Sequence, residues 1–202
     1  MKTLVIIDVQ NDFVPGGSLA VSGGHEIIPV LNKIQVKFEL IIATQDWHPA
    51  EHKSFAANHP GKNEFEIVHL QGIEQVLWPV HCVQDTEGAQ FHQELETARI
   101  EARFRKGLNP EIDSYSGFYD NARLKSTGLA AYLREKGAED LYFGGLAGDY
   151  CVYFSILDAL DEGFRATLIE DATRFIDPTG LEKVKQTILD RGGNIIHSKD
   201  LL

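Results

Sequence analysis

Hydrophobic runs alternate with amphipathic segments along most of the chain. Runs rich in β-branched residues and leucine, typical of strands buried on both faces, occupy 3–7 and 39–44 and recur near 100–104, 141–143, 164–169 and 194–197. Apolar residues at helical spacing lie near 25–37, 89–97, 126–136, 152–160 and 178–191. Strands alternating with helices predict an α/β fold, with three α/β/α layers built on a mainly parallel, six-stranded sheet.

The segment from 49 to 88 interrupts this alternation. It has no clear periodicity and is rich in histidine, proline and aromatic residues. An irregular stretch of this length inside a compact domain is usually functional or disordered, and its composition favours a functional role. The chain shows no repeat, low-complexity tract or linker. We therefore expect one domain over 1–202, with an irregular functional excursion around 49–88.

Composition and charge argue against several classes of partner. The formal net charge of −11 is unsuited to binding a phosphate backbone or an acidic membrane surface. The start of the chain has no secretory signal pattern, and no apolar run approaches the length of a membrane span. The two cysteines, Cys82 and Cys151, form no disulfide framework. We expect a cytoplasmic protein that binds a small molecule, and homo-oligomerisation is left open.

Reactive side chains follow four of the predicted strands. Asp8 ends the first, Asp46 and His48 follow the second, Lys106 follows the run near 100–104, and Cys151 lies just beyond 141–143. Ligands of open parallel sheets bind at the carboxyl ends of strands. A single polar residue there usually serves only loop solvation. Four strand ends carrying Asp, Lys and Cys chemistry on one edge indicate a site.

Cys151 lies in YFGGLAGDYCVYFSILDAL, between a buried strand and a helix. A helix start favours negative charge and would lower the pKa of the thiol, although a small buried cysteine at a strand–helix joint is the alternative. If Asp8 and Lys106 meet it, Asp8 could take the thiol proton and return it to a leaving amine. Lys106 would keep Asp8 ionised and help hold the thiolate. The predicted chemistry is cysteine attack on a carbonyl, a thioester and its hydrolysis, with backbone N–H groups of the turn binding the oxyanion.

A metal site is predicted from the histidines of the excursion. Asp46 and His48 are two residues apart in an extended stretch, since Pro49 disfavours helix before it, and so face the same side. His81, after the rigid WPV turn, is the expected third ligand. Such a nitrogen and oxygen set suits zinc, iron or manganese. The D-x-H pattern alone is weak, because His48 could simply cap a turn, and His52 is either a fourth ligand or a pocket residue outside the coordination sphere.

Several aromatic residues lie in loops near these strand ends. They are Phe13, Trp78, Tyr115 and Phe118. Loop aromatics usually pack against a sheet edge, but they could equally sandwich a flat ring, because ligand pockets are mostly apolar and aromatic.

Five segments together resemble the nicotinamidases of the isochorismatase-like cysteine hydrolases. They are DVQNDFVPGGSL, QDWHPAEHKSF, WPVHCVQDTEGA, KGLNPEIDSYSGF and GLAGDYCV, which follow in order, so that the match spans most of the chain. The resemblance implies the isochorismatase-like hydrolase fold. It also implies hydrolysis of nicotinamide to nicotinate and ammonia in NAD salvage, activity on pyrazinamide, and a divalent metal, with zinc expected and iron or manganese as alternatives.

The resemblance also implies roles for individual residues. The catalytic triad would be Asp8, Lys106 and Cys151. The metal ligands would be Asp46, His48 and His81, with the metal binding the pyridine nitrogen. The resemblance implies an oxyanion hole formed by the amides of Ala147 and Cys151, with a cis peptide bond between Leu146 and Ala147. The residues expected to bind the substrate ring are Phe13, Trp78, Tyr115 and Leu146.

One residue departs from the family pattern, and two other functions stay open. Relatives usually carry threonine where this chain has Gly148, and we expect a looser turn that keeps its backbone donors. Another amidase of the superfamily, acting on a carbamoyl or ureido amide, is one alternative, and a non-catalytic binding protein is the other. Isochorismatases are expected to lack the metal ligands, so the D-x-H pattern with His81 favours a nicotinamidase.

Overall fold

The computed structural model describes residues 1–202 and has eight strands and four α-helices. The strands are β1 (Lys2–Ile7), β2 (Leu40–Asp46), β3 (Ile67–Leu70), β4 (Ile73–Val76), β5 (Ala102–Lys106), β6 (Asp140–Gly145), β7 (Arg165–Thr173) and β8 (Asn194–Ile196). The helices are α1 (Ile27–Ile34), α2 (Leu129–Glu135), α3 (Tyr153–Asp161) and α4 (Leu181–Asp190). Six strands form one parallel sheet in the order β5-β2-β1-β6-β7-β8, which confirms the predicted sheet.

Two hydrophobic clusters, one on each face of the sheet, produce the three layers. On β1, Leu4 and Ile6 belong to one cluster, whereas Val5 and Ile7 belong to the other, as the alternation of strand side chains requires. The first cluster contains the apolar face of α1. The second contains apolar residues of α2, α3 and α4. A strand covered on both sides needs a continuous apolar run, which explains the sequence of β1.

The strand order reverses at β1. The chain moves from β1 to β2 and β5 on one side, and then to β6, β7 and β8 on the other. In open parallel sheets the crevice at such a switch point, beyond the carboxyl ends of the strands, is where ligands bind. Here the ends of β1 and β6 adjoin, because Ile7 pairs with Gly145.

Two sequence predictions of local structure are wrong. No helix forms over 89–97, because its backbone bonds to the segment that follows β1: His92 N–H donates to Val9 O, and Gln90 O accepts from Asn11 N–H. The excursion is less irregular than expected, since β3 and β4 pair as an antiparallel hairpin within it. Both strands are short and most of their side chains are half-buried or exposed, so they give little hydrophobic alternation and the sequence pattern does not reveal them.

None of the helices is both long enough and apolar enough to cross a membrane.

Candidate active site

Asp8 is held at the point where β1 ends. Its backbone is in the left-handed region, with φ of 48°, which aspartate tolerates better than most residues. The Thr44 hydroxyl on the neighbouring strand β2 donates to Asp8 Oδ1 at 2.6 Å. The carboxylate is fully buried, and no donor is aligned for a hydrogen bond to Oδ2. Oδ1 is therefore held by the Thr44 hydroxyl, whereas Oδ2 forms an ion pair with Lys106.

Lys106 joins the buried acidic groups to the cysteine. It ends β5 directly beside Asp46, its register partner at the end of β2. Its Nζ lies 2.9 Å from Asp8 Oδ2, 2.5 Å from Asp46 Oδ1 and 3.3 Å from Cys151 Sγ, and donates to Ser114 O at 2.9 Å. The structure thus brings together the three residues of the predicted triad. It adds a contact to Asp46 that the sequence did not indicate.

The turn that carries Cys151 is tightly built. β6 ends at Gly145, with φ of 135°, where an added Cβ would lie 2.0 Å from Ile7 O, so only glycine fits. A cis peptide bond joins Leu146 to Ala147, as the resemblance implied. A π-helical turn, Gly148–Val152, then leads into α3. Ala147 O accepts the N–H of Val152, whereas the Ala147 N–H has no hydrogen-bond partner.

The space beside Gly148, where the chain departs from the family pattern, is filled. A Cβ at Gly148 would lie 2.6 Å from the ring of Phe175, which occupies the space a larger side chain would need. The Gly148 N–H donates to Arg174 O at 2.7 Å and holds the turn. The turn is therefore packed, not loosened, around the glycine.

Burial and the neighbouring carboxylates favour the protonated form of the Cys151 thiol. Burial raises the pKa of Cys151 well above its ordinary value, since Lys106 offsets only part of the effect and the Asp8 and Asp46 carboxylates add to it. Burial also raises the pKa of Asp8 against the charge of Lys106. Burial disfavours the ammonium of Lys106, but the two carboxylates outweigh it and raise its pKa. Burial and the two carboxylates thus oppose the acidification of the thiol expected from the helix start, so Cys151 would need a proton acceptor.

Asp46, His48 and His81 form a compact donor set. Their nearest ligand atoms all lie within 4.8 Å of one another, with Asp46 Oδ2 3.7 Å from His48 Nε2 and 3.9 Å from His81 Nε2. Burial would raise the pKa of Asp46, but Lys106 and the histidines lower it, so it stays a carboxylate. Burial together with His48 lowers the pKa of His81 to about 4, so this ring is neutral.

The ring orientations of the two histidines fit a divalent metal. The Nδ1 of His48 bonds to Gly107 O at 3.0 Å and that of His81 to Pro79 O at 2.7 Å, so each Nδ1 carries hydrogen and each Nε2 offers a lone pair. His48 Nε2 is buried without a hydrogen-bond partner. Glycine is required at Gly107, because a Cβ would lie 2.3 Å from the His48 ring. Two imidazole nitrogens and a carboxylate suit zinc, iron or manganese.

His52 differs from these two histidines. Its Nδ1 accepts the Ser54 N–H at 3.1 Å, so in the neutral ring Nε2 carries the hydrogen. Burial and the neighbouring His48 lower the pKa of His52 to about 4, which keeps the ring neutral. Its Nε2 is buried without a partner, and one of its ring nitrogens lies within 4.8 Å of ligand atoms of His48 and Asp113. In this tautomer His52 faces the site as a hydrogen-bond donor and has no lone pair to offer.

A small cavity opens between the triad and the donor set, with Cys151, Asp46 and His81 in its walls. Its walls include Phe13, Trp78 and Tyr115, as expected, but the Leu146 side chain is not among them, because it is buried in the hydrophobic cluster of the α1 face. Sequence reasoning missed four lining residues. They are Leu19, Asp113, Tyr150 and Ile176. Tyr150, adjacent to Cys151, and Asp113, inside the PEIDSYSGF segment, could have been suspected, whereas nothing marks Ile176.

Comparisons with known proteins agree with this geometry. The family model described as isochorismatase domain matches residues 2–200. A nicotinamidase of Acinetobacter baylyi is 44% identical over 200 residues, which cover 98% of this chain and 94% of the relative.

Two solved structures share the fold. A protein of Acinetobacter baumanii described as a nicotinamidase and pyrazinamidase superposes with a TM-score of 0.97 and 47% identity, covering 100% of this chain and 98% of its own. The pyrazinamidase of Pyrococcus horikoshii, solved in complex with zinc, gives a TM-score of 0.80 and 36% identity, with 97% and 98% of the two chains covered.

Proposed function

We propose that this chain, which belongs to the isochorismatase family, is a metal-dependent amidohydrolase that converts nicotinamide to nicotinate and ammonia. The observation that carries the proposal is the meeting of Cys151 with Lys106 and Asp8 at the wall of a small aromatic cavity. The names of the similar proteins supply the substrate, and pyrazinamide, a close ring analogue, is proposed as a second one.

Cys151 is the proposed nucleophile and Asp8 its proton acceptor. One Asp8 carboxylate oxygen lies within 4.8 Å of Sγ, and the Lys106 ammonium lies close to both the carboxylate and the sulfur. As Sγ bonds to the amide carbon, the thiol proton passes to Asp8. The raised pKa of Asp8 suits it to hold this proton and then deliver it to the departing nitrogen, so that the C–N bond breaks and ammonia leaves. Water then attacks the thioester, gives a proton through Asp8 to sulfur, and releases the acid.

Lys106 is proposed to stabilise the negative charge during this proton exchange. Its ammonium contacts Asp8 Oδ2 and Sγ, and therefore stabilises negative charge on either atom as the proton moves. Its third contact, to Asp46, makes it the link between the triad and the donor set. We assign Lys106 to charge stabilisation and not to proton transfer, because its raised pKa holds its proton.

The oxyanion is proposed to bind the amides of Ala147 and Cys151. The Ala147 N–H has no partner within the protein, so it is available to a negatively charged oxygen. Donors fixed in place before the reaction stabilise charge without reorganisation. The packing of Gly148 against Phe175 holds the turn that presents them.

Asp46, His48 and His81 would hold the divalent ion, which would supply a positive contact for the ring nitrogen. Zinc is the first choice because the Pyrococcus relative was solved with it, and iron or manganese would suit the same donors. Phe13, Trp78 and the other aromatic walls would sandwich the ring. We further propose that residues 1–202 act as one catalytic domain, in the cytoplasm, in NAD salvage.

Ammonia release by the purified, metal-loaded protein tests this function. The substrates are nicotinamide, pyrazinamide and a carbamoyl amide, and the variants are Cys151→Ala and, as a matched control, Cys82→Ala. Cys82 is the other buried cysteine, outside the cavity walls. We expect turnover of the two ring amides, its loss in Cys151→Ala and its retention in Cys82→Ala. Turnover of the carbamoyl amide alone would assign the chain to another amidase of the superfamily.

A further inference from the structure

The β3–β4 hairpin lies outside the main sheet and has one buried side chain, Gln75. Gln75 is 1% exposed, whereas its neighbour Glu74 is exposed. An amide in a buried position is destabilising unless its polar atoms are hydrogen-bonded, and an apolar residue would pack there at lower cost. The bonds that Gln75 makes therefore indicate what it does.

Two of the hydrogen bonds of Gln75 lead to the wall of the cavity. Its Nε2 lies 3.0 Å from the Tyr115 hydroxyl and 3.1 Å from Asp113 Oδ2, and it shares its two hydrogens between these acceptors and Val76 O, at 2.8 Å on its own strand. Tyr115 and Asp113 both line the cavity, whereas Gln75 does not. The hairpin is thus bonded, through one amide, to the loop that carries two cavity residues.

The Tyr115 hydroxyl connects a second aromatic residue to the same amide. It also accepts the indole N–H of Trp78 at 3.3 Å. Tyr150 packs edge-on against both rings, with centroids 4.8 Å from Trp78 and 5.3 Å from Tyr115. A shift of the Tyr115 hydroxyl would therefore disturb three rings of the wall at once.

We propose that Gln75 is a positioning residue for the substrate ring, acting through Tyr115 and Trp78. The inference rests on the proposed amide hydrolysis and extends it to the hairpin. Gln75 forms no hydrogen bond with Asp8, Lys106 or Cys151, so its loss should weaken ring binding and leave the chemical step nearly intact. The measured signature is a rise in KM with little change in kcat.

The first experiment replaces the amide without changing its length. Gln75→Met removes the donors, and Gln75→Glu keeps the shape but places an acceptor against Asp113. Glu74→Met is the matched control, on the same strand with its side chain in solvent. For the amide that the wild type hydrolyses, we expect KM to rise about tenfold in Gln75→Met and further in Gln75→Glu, with kcat within about threefold and the control unchanged.

A double-mutant cycle tests whether the effect passes through the Tyr115 hydroxyl. Tyr115→Phe removes that hydroxyl and keeps the ring, so alone it should also raise KM. Combined with Gln75→Met, it should raise KM little further, because both variants break the same hydrogen bond between Gln75 and the Tyr115 hydroxyl. An unchanged KM in Gln75→Met or in Tyr115→Phe, or effects that multiply fully in the double variant, would overturn the proposal. If Gln75→Met does not fold, Tyr115→Phe alone decides.

A readout without turnover separates this inference from the proposed function. The chain has two tryptophans, Trp47 and Trp78, so Trp47→Phe leaves Trp78 as the sole indole. In that background, Gln75→Met should shift the Trp78 emission and Glu74→Met should not. A wild type that fails to hydrolyse nicotinamide would reject the function, whereas an unshifted emission in Gln75→Met would reject the role of Gln75.

Discussion

The carboxyl ends of the strands and the wall of the cavity are built in different ways. Asp8, Asp46 and Lys106 stand at the carboxyl ends of three adjacent parallel strands, and the buried Lys106 ammonium lies within 3 Å of both carboxylates. At the cavity wall, Trp78 and Tyr115 come from irregular segments and are held by neutral hydrogen bonds through Gln75. Three of the residues to which we assign the chemistry or the metal thus lie at strand ends. Trp78 and Tyr115, which we assign to ring binding, lie outside the strands.

This contrast predicts that Lys106→Met has the largest effect. Removing the ammonium leaves two buried carboxylates facing each other, so we expect activity to be lost and the free energy of unfolding to fall by about 3–5 kcal/mol. Lys53→Met is the control, because the exposed pair of Lys53 with Glu111 should contribute less than about 1 kcal/mol. Urea unfolding and ammonia release measure both. Equal losses of stability in the two variants would show that the buried charges at the strand ends contribute no more than an exposed ion pair.

The second prediction separates proton transfer from charge. Asp8→Asn removes the proposed proton acceptor, so kcat should fall by about 10²–10⁴. Asp8 also contributes to the raised pKa of the Cys151 thiol, so in the variant this pKa should fall and a larger fraction of the sulfur should be thiolate at a given pH. Iodoacetamide labelling of Cys151 should rise with pH in both proteins, at lower pH in the variant. A labelling curve shifted to higher pH would contradict the arrangement.

The third prediction concerns the donor set that connects the two regions. His48→Ala removes a ligand nitrogen and should lower metal content and raise KM by roughly tenfold or more. His52→Ala removes a ring that offers a donor hydrogen instead of a lone pair, so the bound metal should stay near the wild-type amount. Elemental analysis after dialysis checks both. Equal metal loss in the two variants would make His52 a ligand.

The smallest effect is expected where packing alone is changed. Gly148→Thr places a Cβ against the Phe175 ring, which should lower the free energy of unfolding by about 1–3 kcal/mol. Phe175→Ala in the same protein should recover part of that loss by making room. Thermal denaturation of the single and double variants measures this. A fully stable Gly148→Thr would show that the turn tolerates the family's usual residue.

The same contrast explains what the sequence could predict. The buried strands β1 and β2 are predicted by their continuous apolar runs, and the ends of these strands locate Asp8 and Asp46. The hairpin gives no such signal, since it is short and most of its side chains are half-buried or exposed. The helix start alone predicts a lowered pKa for the Cys151 thiol, whereas burial beside two carboxylates raises it. Contacts between distant segments, such as Gln75 with Tyr115, leave no local pattern to find.

Mass analysis of the protein during turnover tests the central claim most directly. Wild-type protein mixed with excess nicotinamide and quenched in acid should carry a nicotinoyl group on the peptide containing Cys151, and none on the peptide containing Cys82. Asp8→Asn should carry less of this group, because its formation slows. Steady ammonia release from nicotinamide by Cys151→Ala, without any acylated peptide in the wild type, would contradict covalent catalysis at this sulfur.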